Sequence, residues 1–227
     1  MAIKKRKTGL FWVLLALIFV AAGFGLWFVL SLNSLKRSPE FASPIVHYVF
    51  ILKDQQKAYF IRVDTTKKML YVIELPQYAF NPLNNRSLDV QNPLEVFSFT
   101  ESMVEFSSSF RYYAIVDSQQ IKKLARYILG NGVESFENFL RSLSVRKGKI
   151  FDHVLVRQWL KEIKNEKTLT AAAFYKLIYE ASRNALRFYS VKGSFEKPLT
   201  ITVDGKKFQR LYLDVQTIQA IKEDMRR

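Results

Sequence analysis

Residues 47–75 read HYVFILKDQQKAYFIRVDTTKKMLYVIEL. Three runs in this stretch, 47–53, 58–64 and 68–75, mix β-branched with aromatic residues, the composition of strands. The last two are separated only by Thr65, Thr66 and Lys67, a loop length that closes a hairpin. Downstream, residues 110–116 read as a further strand. Asp117 or Ser118 then caps a helix whose Ile121, Leu124 and Ile128 share one face, and Gly130 stands where a helix-terminating glycine belongs. Helical patterns follow at 133–143, 151–163 and 169–186. Strands at 199–204 and 207–214 flank Asp204-Gly205, a hairpin signal, and Asp214 caps a last helix through Ile218 and Ile221. Residues 76–109 hold Pro76, Pro82, Pro93, Asn81, Asn84, Asn85 and three serines at 107–109, and read as a long loop. Strands interleaved with helices predict one α/β domain with a mixed sheet and flanking helices. No internal repeat is present.

Upstream, Lys4, Lys5, Arg6 and Lys7 precede a stretch from Thr8 to Leu35 that carries no charge. Its apolar centre, residues 10–32, makes a helix of roughly 34 Å at about 1.5 Å per residue, enough to cross a hydrocarbon core of about 30 Å. Trp12 and Trp27 lie near its ends, where indole rings favour the interface. A cleaved signal peptide has a shorter apolar region, roughly 7–15 residues, and a small-residue cleavage site that residues 42–44 do not supply. The run therefore reads as an uncleaved signal anchor. Four positive charges before it, against Lys36 and Arg37 after it, put the N-terminus in the cytoplasm. The expected organisation is a cytoplasmic basic tail at 1–9, a transmembrane helix at 10–32, a tether at 33–45 and an exported α/β domain at 46–227, held outside the plasma membrane.

The chain has 227 residues, 49% of them hydrophobic and 15% aromatic, which excludes a disordered protein. About 190 residues outside the anchor suffice for one core. The absence of cysteine excludes disulfide scaffolds, thiolate metal sites and cysteine nucleophiles. Two histidines alone, His47 and His153, speak against a histidine metal centre or a Ser-His-Asp triad. His47 lies in an apolar strand and reads as a packed or interface residue; a structural or solvent-facing role is expected for His153. No GxSxG, HExxH, Walker or GxGxxG motif occurs. Residues 33–227 carry 31 basic against 20 acidic side chains, a net +11, so anionic lipid headgroups or wall polymers are the expected partners and nucleic acid is not. The 19 phenylalanines and 11 tyrosines read as core, with a channel for a lipid tail as the alternative.

Candidate carboxylates for general-base or metal work are Asp54, Asp64, Glu74 and Asp89. Asp54 follows the strand at 47–53, at the mouth of the sheet, where ligands sit when strands are parallel. Asp64 suits the hairpin turn. Arg86, Arg111, Arg146, Lys147, Lys149 and Arg157 are candidate phosphate holders, because guanidinium forks match phosphate oxygens.

The order of elements resembles the LytR–CpsA–Psr family of wall-polymer transferases. Tyr48 to Asp54 is similar to that family's strand ending in Gly-x-Asp, and Thr66 to Pro76 to its lysine-rich turn followed by an apolar strand and proline. Residues 112–117, Lys122-Lys123-Leu124 and Gly130 to Val133 resemble its strand, helix and glycine turn. Arg146-Lys147 and Asp152 through Arg157-Gln158 resemble its basic segment, and Arg210 to Glu223 its C-terminal end. The resemblance implies a single-pass membrane protein that transfers a glycopolymer phosphate from a polyprenyl-pyrophosphate carrier, with arginines and Mg²⁺-binding aspartates on the pyrophosphate. Carried over, it points to Asp54, Arg146 and Arg157 as pyrophosphate contacts and to Asp54 as a metal ligand. The pattern is broken at its centre. Where the family has Pro-Arg-Asp, this chain has Pro76, Gln77 and Tyr78, and Lys53 stands in place of the glycine before Asp54. The expectation is a protein that binds a lipid-linked or wall polymer without catalysis. The alternatives are an active transferase rebuilt on Asp54, Arg86, Arg146 and Arg157, and a partner-binding subunit that presents an apolar patch from Phe97, Phe99, Val104 and Phe106.

Overall fold

The computed structural model describes residues 5–203 and 206–227. In chain order the elements are α1 (Lys5–Lys36), α2 (Pro39–Ala42), β1 (Ile45–Leu52), β2 (Lys57–Asp64), β3 (Met69–Leu75), β4 (Ala79–Asn81), β5 (Arg86–Ser87) and α3 (Pro93–Val104). There follow β6 (Arg111–Val116), α4 (Ser118–Leu129), α5 (Phe136–Val145), α6 (Asp152–Lys161), α7 (Ala171–Ala181), β7 (Ala185–Ser190), β8 (Leu199–Val203), β9 (Lys206–Tyr212) and α8 (Val215–Arg226).

The stretch at 47–75 forms the middle of a five-stranded sheet ordered β6-β1-β2-β3-β7. β1, β2 and β3 pair antiparallel, while β6 joins β1 and β7 joins β3 in parallel, so the sheet is mixed. Its inner strands are buried on both faces, which is why they read as nearly continuous apolar runs. Tyr48, Phe50 and Leu52 point to one side, into a core shared with α4, α5, α6 and α7. Val49 and Ile51 point to the other, into a second core under α3 and α8. Each fully buried aliphatic or aromatic side chain contributes roughly 1.5–3 kcal/mol. The buried Tyr48 hydroxyl is satisfied by donating to the Ala173 carbonyl, 2.9 Å away. A smaller sheet, β5-β4-β9-β8, flanks the domain. β8 and β9 pair antiparallel, as expected of a hairpin; its turn, Asp204-Gly205, lies outside the described residues.

The expected caps are found. Asp117 and Gln120 form a reciprocal capping box at the start of α4, Gly130 ends that helix at φ 84°, and Asp214 caps α8. Two expectations are corrected. Residues 76–109 are not a loop, since they contain β4, β5 and α3. Pro93 opens α3 at its first turn, and the Asn92 side chain accepts from the Leu94 and Glu95 amides. Phe97, Phe99 and Val104 are buried beneath that helix and Phe106 packs against the same core, so no exposed apolar patch forms there. The helix expected over 169–186 stops at Ala181, and Ala185–Ser190 instead extends the sheet beside β3. No proline or glycine marks that break; the strand exists because β3 offers it an edge.

Residues 33–45, expected as a tether, comprise the end of α1, α2 and the start of β1. Lys176, buried in α7, donates from Nζ to the carbonyls of Glu40 (3.0 Å), Phe41 (3.1 Å) and Ser43. The Phe41 ring lies against Tyr175 and Tyr179 of the same helix. Among the described residues one helix, Phe11–Lys36, is long and apolar enough to cross a membrane.

Candidate functional site

Asp54 sits in the turn after β1. Its Oδ2 accepts from the Ser118 amide at 3.2 Å, and Gln55 donates to the Ser118 hydroxyl at 2.9 Å. The carboxylate thereby closes the start of α4, a place where negative charge is favoured. The nearby Asp117 carboxylate is turned to the Gln120 amide as a helix cap. Among the described residues no group of three His, Asp or Glu side chains gathers to hold a metal. A Mg²⁺ held through Asp54 would have to draw its other oxygens from water and ligand phosphate, since no second free carboxylate converges there.

Arg146 is elsewhere. It follows α5 and meets Asp152, the first residue of α6, through two bonds of 2.7 Å each, with both side chains buried. The Lys149 amide adds a third donor to Asp152, at 3.0 Å. This pair lies at the end of the domain where β1 begins, beside α1 and the C-terminal end of α7. Asp54 lies past the other end of the eight-residue β1, roughly 25 Å away at about 3.3 Å per residue. Arg157 is exposed on α6, which packs on one face of the main sheet. Arg86 lies by α3 on the opposite face, where it donates to Ser98. Arg146 is thus far from Asp54, and Arg86 lies across the main sheet from Arg157.

Two polar constructions do stand out. Under α3, the buried His47 donates from Nδ1 to Glu101 Oε1 at 2.7 Å, and Arg111 clasps the same carboxylate with bonds of 2.9 and 2.5 Å. The neighbouring Arg62 pairs with Asp64 at 3.1 Å and lies over the Phe106 ring. Burial pushes His47 below its ordinary value, as do the nearby Arg62 and Arg111, against the opposite pull of Glu101. This network is structural in form, because its charges face one another.

The second construction is a hollow of about 440 Å³ at the end of the domain nearest α1. One wall is the last part of α1, with Phe28, Leu32 and Lys36. A second is the connection from α5 to α6, with Lys147 and Lys149, and a third is α7 with Tyr175, Tyr179 and Arg183. The Arg183 guanidinium stacks 4.2 Å above the Tyr179 ring, and Lys36 approaches that ring at 5.7 Å. Burial first, then Tyr179 and Asp152, push the Tyr175 hydroxyl up to about 12, so it stays neutral. Among the described residues, Lys36, Lys147, Lys149 and Arg183 form no ion pair, and the only carboxylate on the wall, Asp152, is occupied by Arg146. The hollow therefore suits an anion carried on an apolar group. Lys147 and Lys149 were legible in sequence as basic candidates; Lys36 and Arg183 were not, because their convergence depends on α1 meeting α7.

No protein-family model matches the chain, and no curated protein matches it in sequence. Solved structures do match. A solved fragment of Lmo1026 from Listeria monocytogenes aligns with a TM-score of 0.52 over 83% of this chain and 97% of the fragment, at 9% identity. The chain shares its fold with Lmo1026. Lin1025 from Listeria innocua agrees nearly as well, with a TM-score of 0.51 over 81% of this chain and 98% of its own, at 9% identity. The matches include TagT bound to LIIa-WTA, at 12% identity over 83% of this chain and 91% of that one, with a TM-score of 0.48. TagT is described as a LytR-CPS2A-psr family protein. The family read from the sequence is thus present among the matching structures. At these identities the likeness is one of fold, and at a TM-score below 0.5 it adds no weight of its own.

Proposed function

We propose that the chain is a single-pass protein of the cell envelope that binds the phosphate of a lipid-linked or wall polymer without transferring it. The observation that carries this reading is the hollow beside α1, where four cations without an ion-pair partner among the described residues surround an aromatic and aliphatic floor. Its position suits a ligand whose phosphate lies at the bilayer surface and whose tail stays in the membrane. The localisation part of the proposal, plasma membrane with the N-terminus cytoplasmic and the domain outside, rests on the apolar length of α1 and on the charge excess before it.

Transfer chemistry needs several charge-stabilising groups around one phosphate, and removing a single one costs roughly 10²–10³ in rate. Here Asp54 and Arg146 lie at opposite ends of β1, Arg146 is neutralised by Asp152, and Gln77 and Tyr78 replace the family's central arginine and aspartate. The test is mass spectrometry of lipids that copurify with the full-length protein from its own membranes. A polyprenyl-phosphate species present with wild type and lost in the Lys36→Ala, Arg183→Ala double variant supports the reading. Absence of any such lipid at stoichiometric level refutes it.

A further inference from the structure

The connection between α5 and α6 exposes its apolar side chains. Val145 is 82% exposed, Ile150 75% and Phe151 53%, and Leu155 lies one helical turn beyond Phe151, also exposed. Lys147, Gly148 and Lys149 interleave with them and are exposed too. A solvent-facing loop gains nothing from three large apolar side chains in seven residues, whereas an interfacial one does.

Its contacts with α1 bring it to the membrane surface. The Phe151 ring meets Phe28 of α1 at 5.5 Å between centroids, and the His153 ring meets the same phenylalanine at 4.4 Å. Phe28 lies inside the apolar span, four residues before Leu32, which is about 6 Å along a helix rising about 1.5 Å per residue. With α1 across a bilayer, as proposed above, whatever touches Phe28 cannot sit clear of the membrane surface. The charges match that placement. Arg146 is occupied by Asp152, so the charges the loop offers outward are Lys147 and Lys149, long side chains that lay their stems on apolar groups and lift their ammonium heads to phosphate level.

We propose that residues 145–151 are a membrane-docking loop: Val145, Ile150 and Phe151 enter the leaflet at the C-terminal end of α1, and Lys147 and Lys149 hold the headgroups of anionic phospholipids. The proposal rests on α1 spanning the membrane and needs no polymer ligand, although Lys147 and Lys149 also line the hollow.

Because the chain has no cysteine, one nitroxide label can be placed cleanly. Full-length Ile150→Cys is labelled and reconstituted in vesicles of phosphatidylcholine with phosphatidylglycerol. Lys53→Cys, at the far end of β1, is the aqueous control. The expected result is an oxygen-to-aqueous-quencher accessibility ratio several-fold higher at position 150 than at 53. Adding Lys147→Glu and Lys149→Glu is expected to bring the position-150 label towards the control value. A label at 150 as accessible to the aqueous quencher as the control overturns the proposal, as does a depth indifferent to the charge reversal. Spectral broadening at 150 that disappears on dilution with unlabelled protein would show a second copy on the loop instead of lipid, and would overturn it too. Absence of copurifying polyprenyl lipid from protein with both lysines intact, with the position-150 label immersed, would count against the ligand reading alone.

Discussion

Replacing Asp152 with asparagine should destabilise the domain far more than any surface substitution. The two bonds between Arg146 and Asp152 are 2.7 Å each, and the side chains are only 8% and 5% exposed. Arg146 Nε has no partner, so the carboxylate is that guanidinium's main compensation. Asp152→Asn keeps the shape and removes the charge, leaving a buried cation uncompensated at a cost of about 3–5 kcal/mol. Arg146→Met strands the aspartate instead, with a similar cost. The double variant Arg146→Met, Asp152→Leu leaves neither charge and should lose only about 0–2 kcal/mol, because apolar replacement of a buried pair is often close to neutral. The assay is urea unfolding of the full-length protein in detergent, read through the buried Trp159 with Trp12 and Trp27 changed to phenylalanine. Single variants costing under about 1 kcal/mol, or a double variant that loses the sum of the two, would refute the claim that Arg146 is spent on Asp152 and would return it to the list of phosphate ligands.

Three further outcomes are expected. His47 is pushed down by burial, so on acidification the unfolded chain takes up its proton before the folded one does. Stability should therefore fall as pH drops below about 6.5, and His47→Phe should flatten that slope in unfolding titrations. Asn92→Ala removes the side chain that accepts from the Leu94 and Glu95 amides; about 1 kcal/mol should be lost in urea melts, with faster amide exchange in the first turn of α3. Lys176→Met deprives three carbonyls of their donor. It should cost about 2–3 kcal/mol and raise hydrogen exchange across residues 38–44 while the main sheet stays protected.

Much of this architecture was legible because burial on both faces leaves a plain signature. The inner strands of the main sheet, the capping box at Asp117, the end at Gly130 and the cap at Asp214 all follow from local chemistry. What escaped depends on contacts made at a distance. Residues 185–190 have no proline or glycine before them, only Ser182 and Asn184, and become a strand because β3 presents an open edge. Pro93 read as a loop marker, although in the first turn of α3 its missing amide costs nothing. The candidate site divides in the same way. Arg146 and Asp54 were visible as charges near plausible motifs, but Asp152 six residues after Arg146, and the Ser118 amide over Asp54, are what determine their work. Lys36 and Arg183 are far apart in sequence and acquire meaning only around the Tyr179 ring.

The grip of Lys176 on the carbonyls of Glu40, Phe41 and Ser43 has a consequence for how this protein meets others. Only Arg37 and Ser38 separate α1 from α2, and only Ser43 and Pro44 separate α2 from β1, so no long linker lies between α1 and the domain. A domain on a leash sweeps a volume; this one stands on a fixed foot. The turn carrying Asp54 is then carried at a constant height, roughly 25 Å above the base of β1 at about 3.3 Å per residue. With α1 across a bilayer, as proposed above, such a protein explores its surroundings by drifting in the plane of the membrane. It meets what lies at that height and passes beneath what does not.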